Sequence, residues 1–288
     1  SVVSKVRECV RTRKAMDLVM LSSMNKAFRE FMMVGVMPEA VSAFVGGASI
    51  QEVSGILERV LMRAYDEMFG LGRGTDMARA RRCLESIPRH LSETNKKFMY
   101  ARLDEKGSRE GARRYGDALL WVEGSGLGNM CHSLRSITCP VSMAADPDQF
   151  KVYMSDTGML IHMMDDGGYR VMRSVFEQND AFNEGAIMEN VVAECLMKAG
   201  IQRNYYIHRK NPGRMELDFV MDLGSETAVI EVKSGKHRES PSLSKTIGDD
   251  RFQRRIMLEE VQHIRGRERS GALSPVRSRF REGYGEAG

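Results

Sequence analysis

The order of apolar and polar residues divides the chain into two regimes. Up to about Gly70 the apolar positions recur at helical spacing. Ala27, Phe28, Phe31 and Met32 fall on one helix face, and Val53, Ile56, Leu57, Val60, Leu61 and Ala64 fall on another. Gly35 and Pro38 interrupt this pattern. Pro38-Glu39-Ala40 reads as a helix start, because a proline in the first turn needs no N–H partner. Helix-sized pieces then cover 76–91, 97–103 and 108–123, with the turn Asp104-Glu105-Lys106-Gly107 between the last two. From Phe150 onward the pattern predicts a helix over 182–199 and strands over 204–208, 217–221 and 228–232. Gly224-Ser225 is the hairpin signal between the last two strands. After about Gly248 the character changes: the tail is rich in arginine, with few large apolar residues after Ile264, which predicts a disordered basic extension over 251–288.

Composition narrows the class. The 288 residues are enough for two or three small domains, and an apolar fraction of 42% permits a sizeable core. A net charge of +4 is too small to imply a partner. The five cysteines are scattered, odd in number and form no CxxC, which points to reduced thiols in a cytoplasmic protein. No HExxH is present, and no apolar run approaches the ~20 residues of a membrane span. The opening SVVSKVREC has no apolar central region and so does not read as a signal peptide; without an initiator methionine it is expected to open a fragment.

Two places carry candidate chemistry. The first is the three-helix stretch, which has the proportion of a helix-turn-helix, with Arg109, Arg113 and Arg114 near the start of its last helix. A DNA-contacting helix and a solvated basic face both fit these arginines. Segments 133–143 and 152–154 behind it are candidate wing strands. The second is VIEVKSG. In a strand, Glu231 and Lys233 share one face, while Ile230 and Val232 share the other. The hairpin turn brings Asp218 beside Glu231, and two adjacent carboxylates call for a cation between them. A hard ion such as Mg²⁺ suits oxygen ligands, with Lys233 beside it. Without metal, Lys233 is expected to reach toward one of the carboxylates. Glu189 shares a helix face with Val192, Ala193 and Leu196, a costly place for an unpaired carboxylate. Glu194 has Lys198 at i,i+4, which reads as a solvated pair and leaves Glu189 as the site candidate.

The segments GAIMENVVAECL, YYIHRKNPGRMELDFVM and AVIEVKSG resemble the PD-(D/E)XK nuclease-like domain known as domain of unknown function 4143, found at the end of many bacterial AAA-type ATPases. FKVYMSDTGML resembles the opening of that domain. FREFMMVGVMPEAV resembles the helical stretch before it, and the basic helical region resembles the family's winged helix. The resemblance implies an α+β chain: a helical remnant of the ATPase module over 1–70, a winged helix over 71–145, and a nuclease-like domain over 146–250. It implies catalytic roles for Glu189, Asp218, Glu231 and Lys233, with Asp218 and Glu231 on the metal. It also implies DNA as partner; the lack of a long apolar run predicts no membrane association. The chain carries no GxxxxGK[ST], so no ATP site is expected in it, and Gly124 to Gly128 stands in the wrong context for a phosphate cradle. The arginine-rich end departs from the family, where further apolar strand is usual. Two functions follow. One is Mg²⁺-dependent phosphodiester hydrolysis. The other is a catalytically silent module of the same fold that binds nucleic acid or protein.

Overall fold

The computed structural model describes residues 2–12, 14, 16–71, 74–103, 111–164, 169–177, 184–208, 215–233 and 240–259. The first part is helical, as the periodicity predicts: α1 (Val2–Thr12), α2 (Leu18–Val34), α3 (Pro38–Val45) and α4 (Ile50–Leu71). Local chemistry sets their ends. Asp17 caps α2 by accepting the Met20 N–H at 2.8 Å. Gly35, at φ 70°, closes α2 by returning its N–H to Phe31. Pro38 opens α3. Ser49 and Glu52 form a reciprocal capping box at the start of α4, each side chain accepting the other's backbone N–H.

Next come α5 (Gly74–Ser92) and α6 (Gly111–Gly124). Of the three helical pieces predicted here, the middle one is a single 3-10 turn, Tyr100–Arg102. Then follow β1 (Gly128–Leu134), β2 (Ala145–Met154), α7 (Thr157–Met164), α8 (Tyr169–Glu177) and α9 (Glu184–Lys198). The chain continues through β3 (Asn204–His208), β4 (Met215–Leu223), β5 (Glu226–Lys233), α10 (Pro241–Ser244) and β6 (Arg254–Glu259).

The strands form one mixed sheet in the order β2-β1-β3-β4-β5-β6. β1 pairs antiparallel with β2 and parallel with β3. The expected division at 145/146 therefore falls inside a continuous sheet, and β1 and β2 belong to the same layer as the strands of the second half. The hairpin β4–β5 forms with the predicted turn, pairing Leu223 with Glu226 and Phe219 with Ile230 around Gly224 at φ 66°.

The basic extension needs correcting. Residues 254–259, expected to be disordered, are strand β6, parallel to β5 from Ala228↔Arg254 to Lys233↔Glu259. Ile256 and Leu258 pack against the main core. Alternation did not reveal this strand, because its three apolar residues are consecutive, with two arginines before them and glutamates after. Residues 260–288 lie outside the described residues.

The main core lies between the sheet and helices α5, α6, α7 and α9, and includes Leu84, Ile87, Leu119, Tyr153, Phe219 and Ile230. A smaller cluster of Leu134, Val220, Val229 and Phe252 covers the other face. Asp156 joins α2 to α7. Its carboxylate accepts the Val36 N–H at 2.7 Å and the Met159 N–H at 2.8 Å. A side chain on Gly35 would collide with that carboxylate, so the close approach requires glycine as much as the positive φ does. Among the described residues, no helix is long and apolar enough to cross a membrane.

Candidate active site and its lysine clamp

Asp218 owes its position to a break in the sheet. Asn204 pairs with Val220, but Tyr206 pairs with Leu217, so Asp218 and Phe219 both stand opposite Tyr205. This is a β-bulge on β4, a device that re-aims a side chain. Leu217 and Val220, three residues apart, consequently both join the smaller cluster, while Phe219 enters the main core. The described ladder between β4 and β5 ends at Phe219↔Ile230. Beyond it, the Val232 N–H donates to Asp218 Oδ2 at 2.9 Å, where a backbone carbonyl would otherwise accept.

On β5, Ile230 and Val232 enter the main core, and Glu231 and Lys233 alternate with them. Lys233 Nζ donates to Glu231 Oε1 at 2.6 Å. Glu231 is buried, and its second oxygen has no hydrogen-bond donor among the described residues.

Glu189 projects from α9 and is 2% exposed. Its Oε1 accepts from Lys151 Nζ at 2.9 Å and from the Tyr153 hydroxyl, and its Oε2 accepts from Lys96. Lys151 is itself buried, reaches Glu216 at 3.3 Å and lies 5.0 Å from the centre of the Tyr205 ring. Neither Lys151 nor Lys96 was singled out from the sequence. A lysine inside the otherwise apolar run FKVYM was the available signal, because an ammonium in a buried strand demands a carboxylate. Glu194 also departs from expectation. It does pair with Lys198, but it is fully buried and also accepts from the Thr157 N–H at 2.9 Å and the Thr157 hydroxyl at 2.6 Å. It ties α9 to α7 rather than lying on a solvated face.

The carboxylates titrate in opposite directions. Burial alone would raise Glu189, but the charges of Lys151 and Lys96, with hydrogen bonds from Lys96 and Tyr153, hold it well below the usual carboxylate range. Asp218 is pushed up to about 7 by burial, then by the charges of Glu189 and Glu231, with Lys151 and the Val232 N–H offsetting part of this. Burial works against the charge on Lys233, yet the hydrogen bond and charge of Glu231 raise its pKa.

Does this set fit Mg²⁺? Among the described residues, no group of three or more His, Cys, Asp and Glu side chains is arranged to hold a metal ion. Glu189 already accepts from three donors. Mg²⁺, however, is commonly held by one or two carboxylates and completed by water. Asp218 and Glu231, with the donorless Glu231 oxygen, fit that smaller demand; Glu189 does not fit as a ligand while Lys96 holds it.

Of the basic residues, Arg113 and Arg114 are exposed in the first turn of α6, with the Arg114 guanidinium 5.7 Å from the Tyr115 ring centre. Arg109 lies outside the described residues.

Residues 25–169, half of the chain, match the family described as Domain of unknown function (DUF8612). The chain belongs to the DUF8612 family. Residues 184–270 match a second family, Domain of unknown function (DUF4143), commonly found at the C-terminus of AAA-type ATPases. No curated protein and no solved structure matches the chain. The boundary between the two matches runs through the site. Lys96, Lys151 and Tyr153 lie in the DUF8612 part, whereas Glu189, Asp218, Glu231 and Lys233 lie in the DUF4143 part.

Proposed function

We propose that the chain is the ATPase-associated part of an AAA-type system and carries a Mg²⁺-dependent phosphodiesterase site that acts on DNA. The observation that carries this is the buried Glu231 oxygen with no donor among the described residues, near an Asp218 whose pKa is raised by burial and then by its carboxylate neighbours. Buried negative charge without enough donors is an electrostatic demand for a cation. Asp218 and Glu231 would hold the ion, and the ion would supply an activated water and neutralise charge on phosphorus. Lys233 balances Glu231 and stands ready to give its ammonium to a phosphate oxygen. The Val232 N–H fixes the Asp218 carboxyl. Lys151 and Tyr153 fix Glu189. Arg113 and Arg114 offer charge to the nucleic-acid backbone, with Arg109 expected to join them. ATP would be bound by another part of the system.

A second reading, a binding module of the same fold without turnover, is favoured by the three donors already on Glu189, two of them ammoniums. The deciding experiment incubates the chain and its Asp218→Asn variant with duplex and single-stranded DNA in Mn²⁺ or Mg²⁺. Metal-dependent cleavage lost in the variant supports hydrolysis. DNA binding without cleavage in either protein supports the silent module.

A further inference from the structure

We propose that Lys96 is a tethered counter-ion of this site: it holds Glu189 while the carboxylates lack a divalent ion and leaves when one enters. The proposal rests on the metal reading above. Glu189 has more cation than it needs. Lys151, 1% exposed and bound by both Glu189 and Glu216, already balances its charge from within the sheet. Lys96 is a second ammonium on the same carboxylate, and its side chain is 21% exposed.

Of the three groups on Glu189, only Lys96 can leave cheaply. Lys151 and Tyr153 are held in β2 and are buried, so moving either would open the core. Lys96 follows the bend at 93–95, outside any helix or strand. The chain is fixed again just after it. The Phe98 N–H donates to the Phe150 carbonyl at 2.9 Å, and the Met99 N–H donates to His90 Nε2 at 3.1 Å. The Lys96 side chain can therefore swing into water while Phe98 stays packed between His90 and Phe150.

Charge gives the direction. Lys96, Lys151 and Lys233 face Glu189, Glu216, Asp218 and Glu231, three ammoniums against four carboxylates, so without metal the ionised site carries one net negative charge. A divalent ion adds two positive charges and repels the nearby ammoniums; of the two on Glu189, the partly exposed Lys96 yields before the buried Lys151. Glu189 then becomes available to the ion directly or through a water. Because Lys96 lies in the DUF8612 part and Glu189 in the DUF4143 part, loading of the site is transmitted to the helical half.

The test is Mn²⁺ titration by calorimetry on the full chain at fixed ionic strength, with Lys96→Met and Lys96→Arg. Lys96→Met is expected to bind Mn²⁺ about tenfold tighter than wild type, and Lys96→Arg to stay within about twofold of it. Equal affinity of Lys96→Met and wild type overturns the counter-ion role and leaves the metal reading standing. No Mn²⁺ binding by any of the folded proteins overturns both. If Lys96→Met weakens duplex DNA binding and leaves Mn²⁺ affinity unchanged, Lys96 is a phosphate contact and the proposal fails. An independent readout uses wild type alone: trypsin cleavage after Lys96 should be faster in Mn²⁺ than in EDTA, and an unchanged rate also overturns the proposal.

Discussion

Two carboxylates in one site, one held down and one pushed up, make residue-scale predictions of opposite kind. Asp218 has a folded pKa of about 7, against about 3.9 in an unfolded chain. Between those values the folded state binds a proton that the unfolded state does not, so metal-free stability falls as pH rises from about 4 to about 7. Asp218→Asn keeps an acceptor for the Val232 N–H and removes the charge. Its urea midpoint in EDTA should lose that fall and exceed wild type at pH 8. Glu189 behaves in the opposite way. Glu189→Gln leaves Lys151 buried with the partly protonated Asp218 and the half-exposed Glu216 as counter-charges, and should destabilise by about 3 kcal/mol at pH 7. Chemical denaturation checks this, and a loss under about 1 kcal/mol would mean that Asp218 and Glu216 together suffice.

At the scale of elements, β6 has the clearest consequence. It covers the edge of β5, the strand that carries Glu231 and Lys233. Ending the chain after Gln253 removes it and leaves a row of unpaired β5 groups, a template for pairing with other chains. The shortened protein should aggregate at concentrations where the full chain stays monodisperse by light scattering. The bulge at Asp218-Phe219 acts at the same scale. It sets Asp218 and Phe219 both opposite Tyr205, with Phe219 in the core and Asp218 within the field of Glu189, Glu231 and Lys151.

At the scale of the molecule, the helical half and the strand half share one sheet and one main core. Helix α6, with Arg113 and Arg114, packs on α5, whose C-terminal end leads into the segment bearing Lys96. If α6 meets duplex DNA, replacing Arg113 and Arg114 by Ala should reduce the slope of log affinity against log salt by about 2, one unit for each phosphate no longer neutralised. An unchanged slope would make them a solvated face, the alternative that periodicity left open.

Local pattern determined much of this protein. The helices of the first half, the hairpin at Gly224-Ser225, α9, β3 and the pairing of Glu231 with Lys233 all follow from the chemistry of neighbours within a few positions, where caps, turns and side-chain periods act. Tertiary structure decided the rest. The pairing of β1 with β3, the strand character of 254–259 and the bulge beneath Asp218 depend on segments far apart in the chain. So does the clamp on Glu189: Lys96 and Lys151 stand 93 and 38 positions before it. An amphipathic period records which face of an element is buried, but not which distant charge will meet it there. That meeting is set by packing, because a buried carboxylate is tolerated only where the fold brings a cation to it.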